Sequence, residues 1–387
     1  MIIERKNRGI ELRGESLDKL LELKKLHKDK NIFEHNDCLC GTNDDELIAK
    51  EDRYGLECNF VICKNCGLVR MNPYYTEDFL KIFYSKFYSP IYRGSSKCSE
   101  EKFNERILYG NSIIENIEKI IGDISNKRIF EIGCGSGGIL QAFKLKGNDV
   151  YGVDYGKEYL EFAKMKGLNV VEGDFNELEK FGQCDILILN HLLEHITKPI
   201  NFLKNIRKLL KEDGYLYVEV PVLETIPNNY NYDIFTYFQS AHIFNFSNDI
   251  FKNIILASGY GTINEINENS LICRKSIYNS QPYIKNNYGY INSVNYINLV
   301  ENSYNILNII RNTSQPINKK LEKLIDTLAW WIPVRKWRDN FRNKFFDKFI
   351  GGGVSNGFKF TYPVNFRLNL KEQGINRLEH TCNRKAA

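Results

Sequence analysis

The sequence predicts an α/β protein built on a doubly wound open sheet, and three observations carry that expectation. From residue 128 onward, apolar strand-like runs alternate with helical patterns. The run Ile129-Phe130-Glu131-Ile132 ends in Gly133-Cys134-Gly135-Ser136-Gly137-Gly138. Glycine belongs where a strand turns tightly into a helix and a ligand must approach with no Cβ in the way. The next strand pattern, Asp149-Val150-Tyr151-Gly152-Val153-Asp154, ends on an acid, which suits ribose hydroxyls.

Taken in order, residues 1–36 hold one amphipathic helix from Ser16 to His27, with Leu17, Leu20, Leu21, Leu23 and Leu26 as its apolar stripe. Residues 37–104 form a cysteine-rich lobe followed by a segment dense in tyrosine and phenylalanine, from Tyr74 to Tyr92. Residues 105–278 form the core. A helix over 105–121 leads into strands near 128–133, 149–154, 169–172, 184–190 and 214–220, with helices near 138–147, 156–166, 199–211 and 246–258 between and after them. Segment 222–245 is too long for an ordinary connection and reads as a lid or substrate loop. Residues 279–387 are polar and then helical. All three tryptophans, Trp330, Trp331 and Trp337, lie there beside Arg335, Lys336 and Arg338. This tail suits a peripheral contact with a lipid surface or a glycan-assembly partner, or plain packing.

Composition bounds the rest. The chain has 387 residues, 43% hydrophobic and 26% charged, in the range of globular proteins. A net charge of +5 admits an anionic substrate without demanding nucleic acid. The charged start (Glu4, Arg5, Lys6, Arg8) has no signal-peptide core and no run approaches a membrane span, so a cytoplasmic location is expected. A homo-oligomer is left open. Ten cysteines then read as thiols or metal ligands. Cys38, Cys40, Cys63 and Cys66 make two knuckle-like turns whose thiolates suit a closed tetrahedral zinc site of structural kind. The first turn is C-x-C, shorter than usual, so His35 or Asp37 could replace one thiolate; a metal-free module and redox chemistry are the alternatives.

An acid beside the glycine turn, Glu131, is a poor neighbour for a pyrophosphate and a good one for an ammonium and a sulfonium. Glu131-x-Gly133-x-Gly135-x-Gly137 resembles the first motif of class I S-adenosylmethionine (SAM)-dependent methyltransferases, and Asp154 resembles their ribose-binding acid. Glu172-Gly173-Asp174-Phe175 resembles the segment that cups adenine, Asp185 to His195 the segment that closes over the methyl donor, and Leu210 to Pro221 the turn and fifth strand. The resemblance covers residues 105–278 and implies a seven-stranded Rossmann-like methyltransferase sheet closed by a hairpin near 261–267 and 270–276. It implies Glu131, Gly133, Gly135, Gly137, Asp154, Tyr155, Asp174, Phe175 and Asn190 around SAM.

The cysteine lobe followed by Gly67-Leu68-Val69-Arg70-Met71-Asn72-Pro73 resembles the N-terminal zinc lobe of bacterial sugar methyltransferases. That implies O-methylation of a nucleotide-activated sugar, such as a GDP-heptose for capsule assembly, with no divalent metal needed for the reaction. In that family the aromatic segment covers the donor, which brings in Tyr88 and Tyr92. A base against the hydroxyl would contribute roughly 10²–10⁴-fold. His242, in Phe238-Gln239-Ser240-Ala241-His242, resembles the family's base, and His191, after Asn190 at the end of the fourth strand, is the second candidate. His195, Asp233 and Tyr92 are read as substrate-side residues; Glu224, Arg93, Lys97, Arg274 and Lys275 are further candidates for sugar or diphosphate. Two alternatives remain: C-methylation of a nucleotide-linked keto-sugar and RNA methylation. A modest charge without a basic patch near the core weighs against RNA.

Overall fold

The chain is described by a computed structural model, for residues 2–4, 10–276 and 289–308. By compactness it divides into Met1–Tyr304 and Asn305–Ala387. The tryptophan-rich stretch lies outside the described residues.

In the N-terminal lobe, strands β1 (Asp45–Glu51), β2 (Glu57–Cys63) and β3 (Val69–Met71) pair antiparallel in chain order. The helix expected over 16–27 spans Glu15–Leu26. It buries Leu20 and Leu23 and leaves Leu17, Leu21 and Leu26 at 36–48% exposure, so only part of the stripe is used. The aromatic segment is helical. Thr76 caps a helix over Glu77–Ile82 by accepting the Phe79 amide, and a π-turn over Phe83–Tyr88 and a short helix over Ser89–Tyr92 continue it.

In the core, β4 (Arg128–Ile132), β5 (Asp149–Asp154), β6 (Asn169–Glu172), β7 (Cys184–Asn190) and β8 (Leu210–Glu219) are all parallel. A two-residue strand, β9 (Phe244–Asn245), follows, and then the hairpin β10 (Tyr260–Asn267) and β11 (Ser270–Lys275). The sheet order is β10-β11-β8-β7-β4-β5-β6, with β11 antiparallel to β8. The sheet has the seven strands and the closing hairpin that the resemblance implies. Alternate residues feed two cores: Phe130, Leu187, Leu189 and Val218 on one face, Ile129, Ile186, Ile188 and Tyr217 on the other.

Three expectations need correction. The helix expected from 105 begins at Glu100, because Ser99 caps it by accepting the Lys102 amide, with Glu100 and Glu101 in its first turn. The helix expected to reach 211 ends at Ile206. A 3-10 turn over Arg207–Leu209 intervenes, and Leu210 already pairs with Cys184 before a bulge at 211–214. Segment 222–245, expected as a lid or substrate loop, is a packed segment rather than an open loop. It forms short helices over Ile226–Asn229 and Ile234–Tyr237, and Leu223, Ile226, Ile234, Phe235, Tyr237 and Phe238 are at most 1% exposed. Its apolar residues follow no single period over helices this short, so the sequence reads as a loop.

This packed segment ties the lobe to the core. Strand β9 adds to the lobe sheet beside β3, with Phe244 opposite Arg70, giving the order β9-β3-β2-β1. Met71 N–H donates to Ile243 O at 2.9 Å, and Phe60 stacks on Phe238 with centroids 4.4 Å apart.

Candidate functional site

The glycine turn lies at the carboxyl ends of the parallel strands, where α/β sheets bind ligands. Gly133, Gly135 and Gly137 all adopt left-handed φ, from 53° to 79°, which a side chain would strain. Gly133 N–H and Cys134 N–H both donate to Val153 O, at 2.8 and 3.0 Å, tying the turn to the end of β5. Asp154 accepts the Gly135 amide on one oxygen and the Gly156 amide on the other, each at 2.7 Å. Tyr155 next to it is 58% exposed.

Glu131 is 2% exposed and its Oε2 has no hydrogen-bond partner. Burial pushes its carboxyl up to about 8, against the pull of Arg106 and Arg93. A buried carboxyl with one oxygen unengaged, which ionises when a positive charge arrives, fits a cationic ligand group. Arg93 reaches the same turn from the aromatic segment. A Cβ at Gly135 would meet its guanidinium at 3.1 Å, and it stacks over Tyr159 and Tyr88 at 4.6 and 5.4 Å.

At the end of β7, Asn190 is engaged on both sides: Arg106 donates to its Oδ1 at 2.6 Å, and its Nδ2 donates to Glu219 at 3.1 Å. Glu219 also accepts from Tyr217 at 2.6 Å and from Tyr109. His191 follows with φ 51°, its ring nitrogens 3.6 Å from Glu219 Oε1 and 3.6 Å from Glu194 Oε1. Desolvation opposes its charged form, but 43% of the side chain is exposed, and the two carboxylates prevail and push its pKa up to about 9.

Behind His191 lies a buried cluster. Glu194 is 0% exposed, with its Oε1 3.7 Å from His195 Nε2 and 3.9 Å from His242 Nε2. The two histidine rings meet edge to face at 4.9 Å. His195 Nδ1 lies 2.8 Å from Ala241 O. Burial lowers the pKa of both rings, that of His242 well below the ordinary histidine value. Tyr84 and Tyr88 pack their rings edgewise on His195 at 5.9 and 5.6 Å, and Tyr92 stacks on Tyr88 and shares a 2.8 Å hydrogen bond with Ser240.

The four sulfurs of Cys38, Cys40, Cys63 and Cys66 lie within 4.8 Å of one another. Cys38 and Cys66 are 3.5 Å apart, and Cys40 and Cys63 are 3.7 Å apart. A tetrahedral zinc with bonds of about 2.3 Å needs sulfurs about 3.8 Å apart, so the set fits a closed ion. The four thiols form one set, in which hydrogen bonds hold Cys63 low while Cys38 and Cys66 are pushed up. Among the described residues, neither His35 nor Asp37 joins this group.

Thus His191, His195, His242 and Tyr92 gather on one side of the β7 end, and Glu131, the glycines and Asp154 on the other. Other candidates are placed elsewhere or used structurally. Asp233 caps the Ile234–Tyr237 helix, accepting the Phe235 and Thr236 amides on one oxygen and the Thr236 hydroxyl on the other. Asp174 accepts the Asn176 amide at 2.8 Å, and Phe175 meets Phe202 edge to face. Glu224 accepts the Asn248 amide. Arg274 stacks on Tyr215 and Lys275 pairs with Glu212, at the opposite end of β8 from Glu219, which removes both from the site. Three residues support the site from outside the motifs: Arg106 and Glu219, which hold Asn190, and Asp52, which accepts the Ser240 amide at 3.2 Å; Arg106 and Asp52 lie in no motif, and Glu219 reads only as part of the fifth strand.

Residues 105–263 match the family described as "Methyltransferase domain". The ubiquinone biosynthesis O-methyltransferase of Bordetella avium is 28% identical over 112 residues, 27% of this chain and 46% of the relative. That of Marinobacter nauticus is 30% identical over 105 residues, 24% of this chain and 44% of the relative. The chain spans about half the length of these curated relatives. Among solved structures, a SAM-dependent methyltransferase from Archaeoglobus fulgidus has 19% identity and a TM-score of 0.37, covering 52% of this chain and all of the other.

Proposed function

We propose, from the match of residues 105–263 to a methyltransferase domain, that the protein transfers a methyl group from SAM to a hydroxyl of a nucleotide-activated sugar, of the GDP-heptose kind used in surface polysaccharides. The observation that carries this reading is His242: a buried, neutral imidazole held by a segment that the N-terminal lobe and the core share.

Glu131, the Gly133–Gly137 turn, Asp154, Tyr155 and Asn190 would hold SAM, with Asp174 and Phe175 at the adenine end. Asp154 would turn its oxygens to the ribose, and the unengaged Glu131 oxygen would face positive charge. SAM, when bound, supplies an already activated methyl group. The protein's work is then alignment, exclusion of water and handling of the acceptor proton. In the metal-free protein the group that fits the last task is His242. Its lowered pKa leaves it unprotonated at neutral pH, whereas His191, raised to about 9, already carries its proton. The rings of Tyr84, Tyr88 and Tyr92 cover this side and offer apolar faces to a sugar. His195 would line the same side, and Asp233 would act through the packed segment it caps.

The cysteine lobe would hold structural zinc. A closed set of four thiolates leaves no open position for chemistry, so its effect is to fix β3, on which β9 rests.

The test is mass spectrometry of a panel of nucleotide sugars after incubation with protein and SAM, with 4-keto sugars, a catechol and RNA alongside. A one-methyl gain on a non-keto sugar supports the reading. A gain confined to keto sugars moves it to C-methylation, and a gain only on catechol or RNA rejects it.

A further inference from the structure

We propose that Glu194, His195 and His242 bind a divalent transition-metal cation, at a site separate from the four cysteines. Three observations converge. Glu194 is 0% exposed and neither of its carboxylate oxygens has a hydrogen-bond partner. A carboxylate taken out of water with no donor on either oxygen is costly, and the His191 ring, 3.6 Å from Oε1 and shared with Glu219, answers it from one side only. His242, buried beside it, brings its Nε2 to 3.9 Å from Glu194 Oε1. His195 supplies the third observation: its Nδ1 lies 2.8 Å from the Ala241 carbonyl, which can only accept, so Nδ1 carries the proton. Nε2 is then a bare lone pair, 3.7 Å from Glu194 Oε1. Two electron-rich atoms face each other 3.7 Å apart, and a cation between them resolves the repulsion. An imidazole that donates Nδ1–H to a backbone carbonyl and points Nε2 inward is the usual state of a metal-ligating histidine.

One ligand atom from each of the three residues lies within 4.8 Å of the others. Bonds of about 2.0–2.2 Å to nitrogen and oxygen need ligands a few tenths of an ångström closer than the observed 3.7 and 3.9 Å, a small contraction. Two imidazoles and one carboxylate suit zinc, iron, cobalt or manganese rather than calcium. His191, 43% exposed and 3.6 Å from the same Oε1, marks the open side, where an oxygen of the acceptor would complete the coordination. The inference rests on the methyl-transfer reading for that last point alone. With the cation present, the His242 lone pair goes to the metal. The cation's charge then favours ionisation of a hydroxyl bound beside it, whose proton passes to solvent.

The experiment uses the full chain with the cysteine cluster first loaded with zinc, titrated with Mn²⁺ by calorimetry and electron paramagnetic resonance, and with Zn²⁺ by elemental analysis. Manganese prefers nitrogen and oxygen to thiolate, so it reports on this site. The wild type is expected to take up one Mn²⁺ and one Zn²⁺ beyond the cysteine-bound equivalent. Glu194→Gln and, independently, His242→Asn should weaken Mn²⁺ at least ~100-fold with SAM affinity kept. No second equivalent of either ion, or equal affinity in wild type and both variants, overturns the proposal. SAM binding without Mn²⁺ binding sinks the metal site alone; Mn²⁺ binding without SAM binding sinks the methyl-transfer reading and leaves the site standing.

Discussion

Asp52, in the turn between β1 and β2, accepts the backbone amide of Ser240 at 3.2 Å, two residues before His242. Its other oxygen accepts the Tyr54 and Leu56 amides at 2.8 and 3.0 Å, so one fully buried carboxylate both closes its own turn and holds the histidine segment. Next to it, Arg53 N–H donates to Phe238 O at 2.9 Å. Asp52→Asn keeps one acceptor for the turn and faces an amide N–H₂ toward Ser240 N–H. The expected result is a loss of about 1–3 kcal/mol in stability and a fall of ~10-fold or more in kcat, with SAM affinity unchanged. Thermal melts, calorimetry and kinetics on one preparation check this; an unchanged kcat would detach the lobe from the acceptor side.

The cysteine cluster acts on the same segment through β3. Cys63→Ser is expected to release one zinc equivalent, lower the melting temperature and reduce turnover more than SAM affinity, because the donor turn does not rest on the lobe sheet. Elemental analysis of the purified chain gives the zinc count. A wild type free of zinc would show that the thiols stand alone.

The two histidines predict opposite pH profiles. For the metal-free protein, kcat should rise on an acid limb below the ordinary histidine value of about 6.5, where His242 loses its proton, and stay level through pH 8. A base of pKa about 9 would instead give a rate still climbing at pH 8, and that outcome would assign the role to His191. His242→Ala should cost at least ~10² in turnover while SAM still binds. The raised pKa of His191 also carries a stability sign. Its contribution is fully present below about 6.5 and is lost as pH rises through about 9, so His191→Gln should narrow its stability deficit toward alkaline pH.

Glu131 makes SAM binding pH-dependent. A carboxyl raised to about 8 is protonated at pH 7 in the free protein and must ionise to face a cationic donor. SAM should therefore bind more tightly as pH rises from 6 to 8, by up to ~10-fold per unit, with a proton released. Glu131→Gln should flatten that slope. Calorimetry in two buffers of different ionisation enthalpy reads the proton directly. A wild-type affinity independent of pH would show that Glu131 does not sense the donor.

The core was legible because its signals are local. Gly133, Gly135 and Gly137 mark left-handed backbone, and Asp154 closes the next strand within twenty-five residues of Glu131. The site's second half is assembled from a distance. Asp52 and Ser240 are 188 residues apart, Tyr92 and Ser240 are 148 apart, and Tyr109 reaches Glu219 across 110. No periodicity reports such contacts. The packed helices of segment 222–245 do not show in the sequence because they are four residues long, too short for a period of 3.6. Arg274 and Lys275 looked suited to a diphosphate by charge, but strand direction puts them beside Tyr215 and Glu212, away from the carboxyl ends.

The central claim, methyl transfer to a sugar oxygen, is tested most directly with SAM carrying a ¹³C methyl group and a nucleotide-linked heptose as acceptor. Carbon NMR of the product should show the label in the chemical-shift region of a methyl ether, on the sugar and not on the nucleotide. A label on sugar carbon, on the base, or left wholly on SAM across the nucleotide-sugar panel would contradict it.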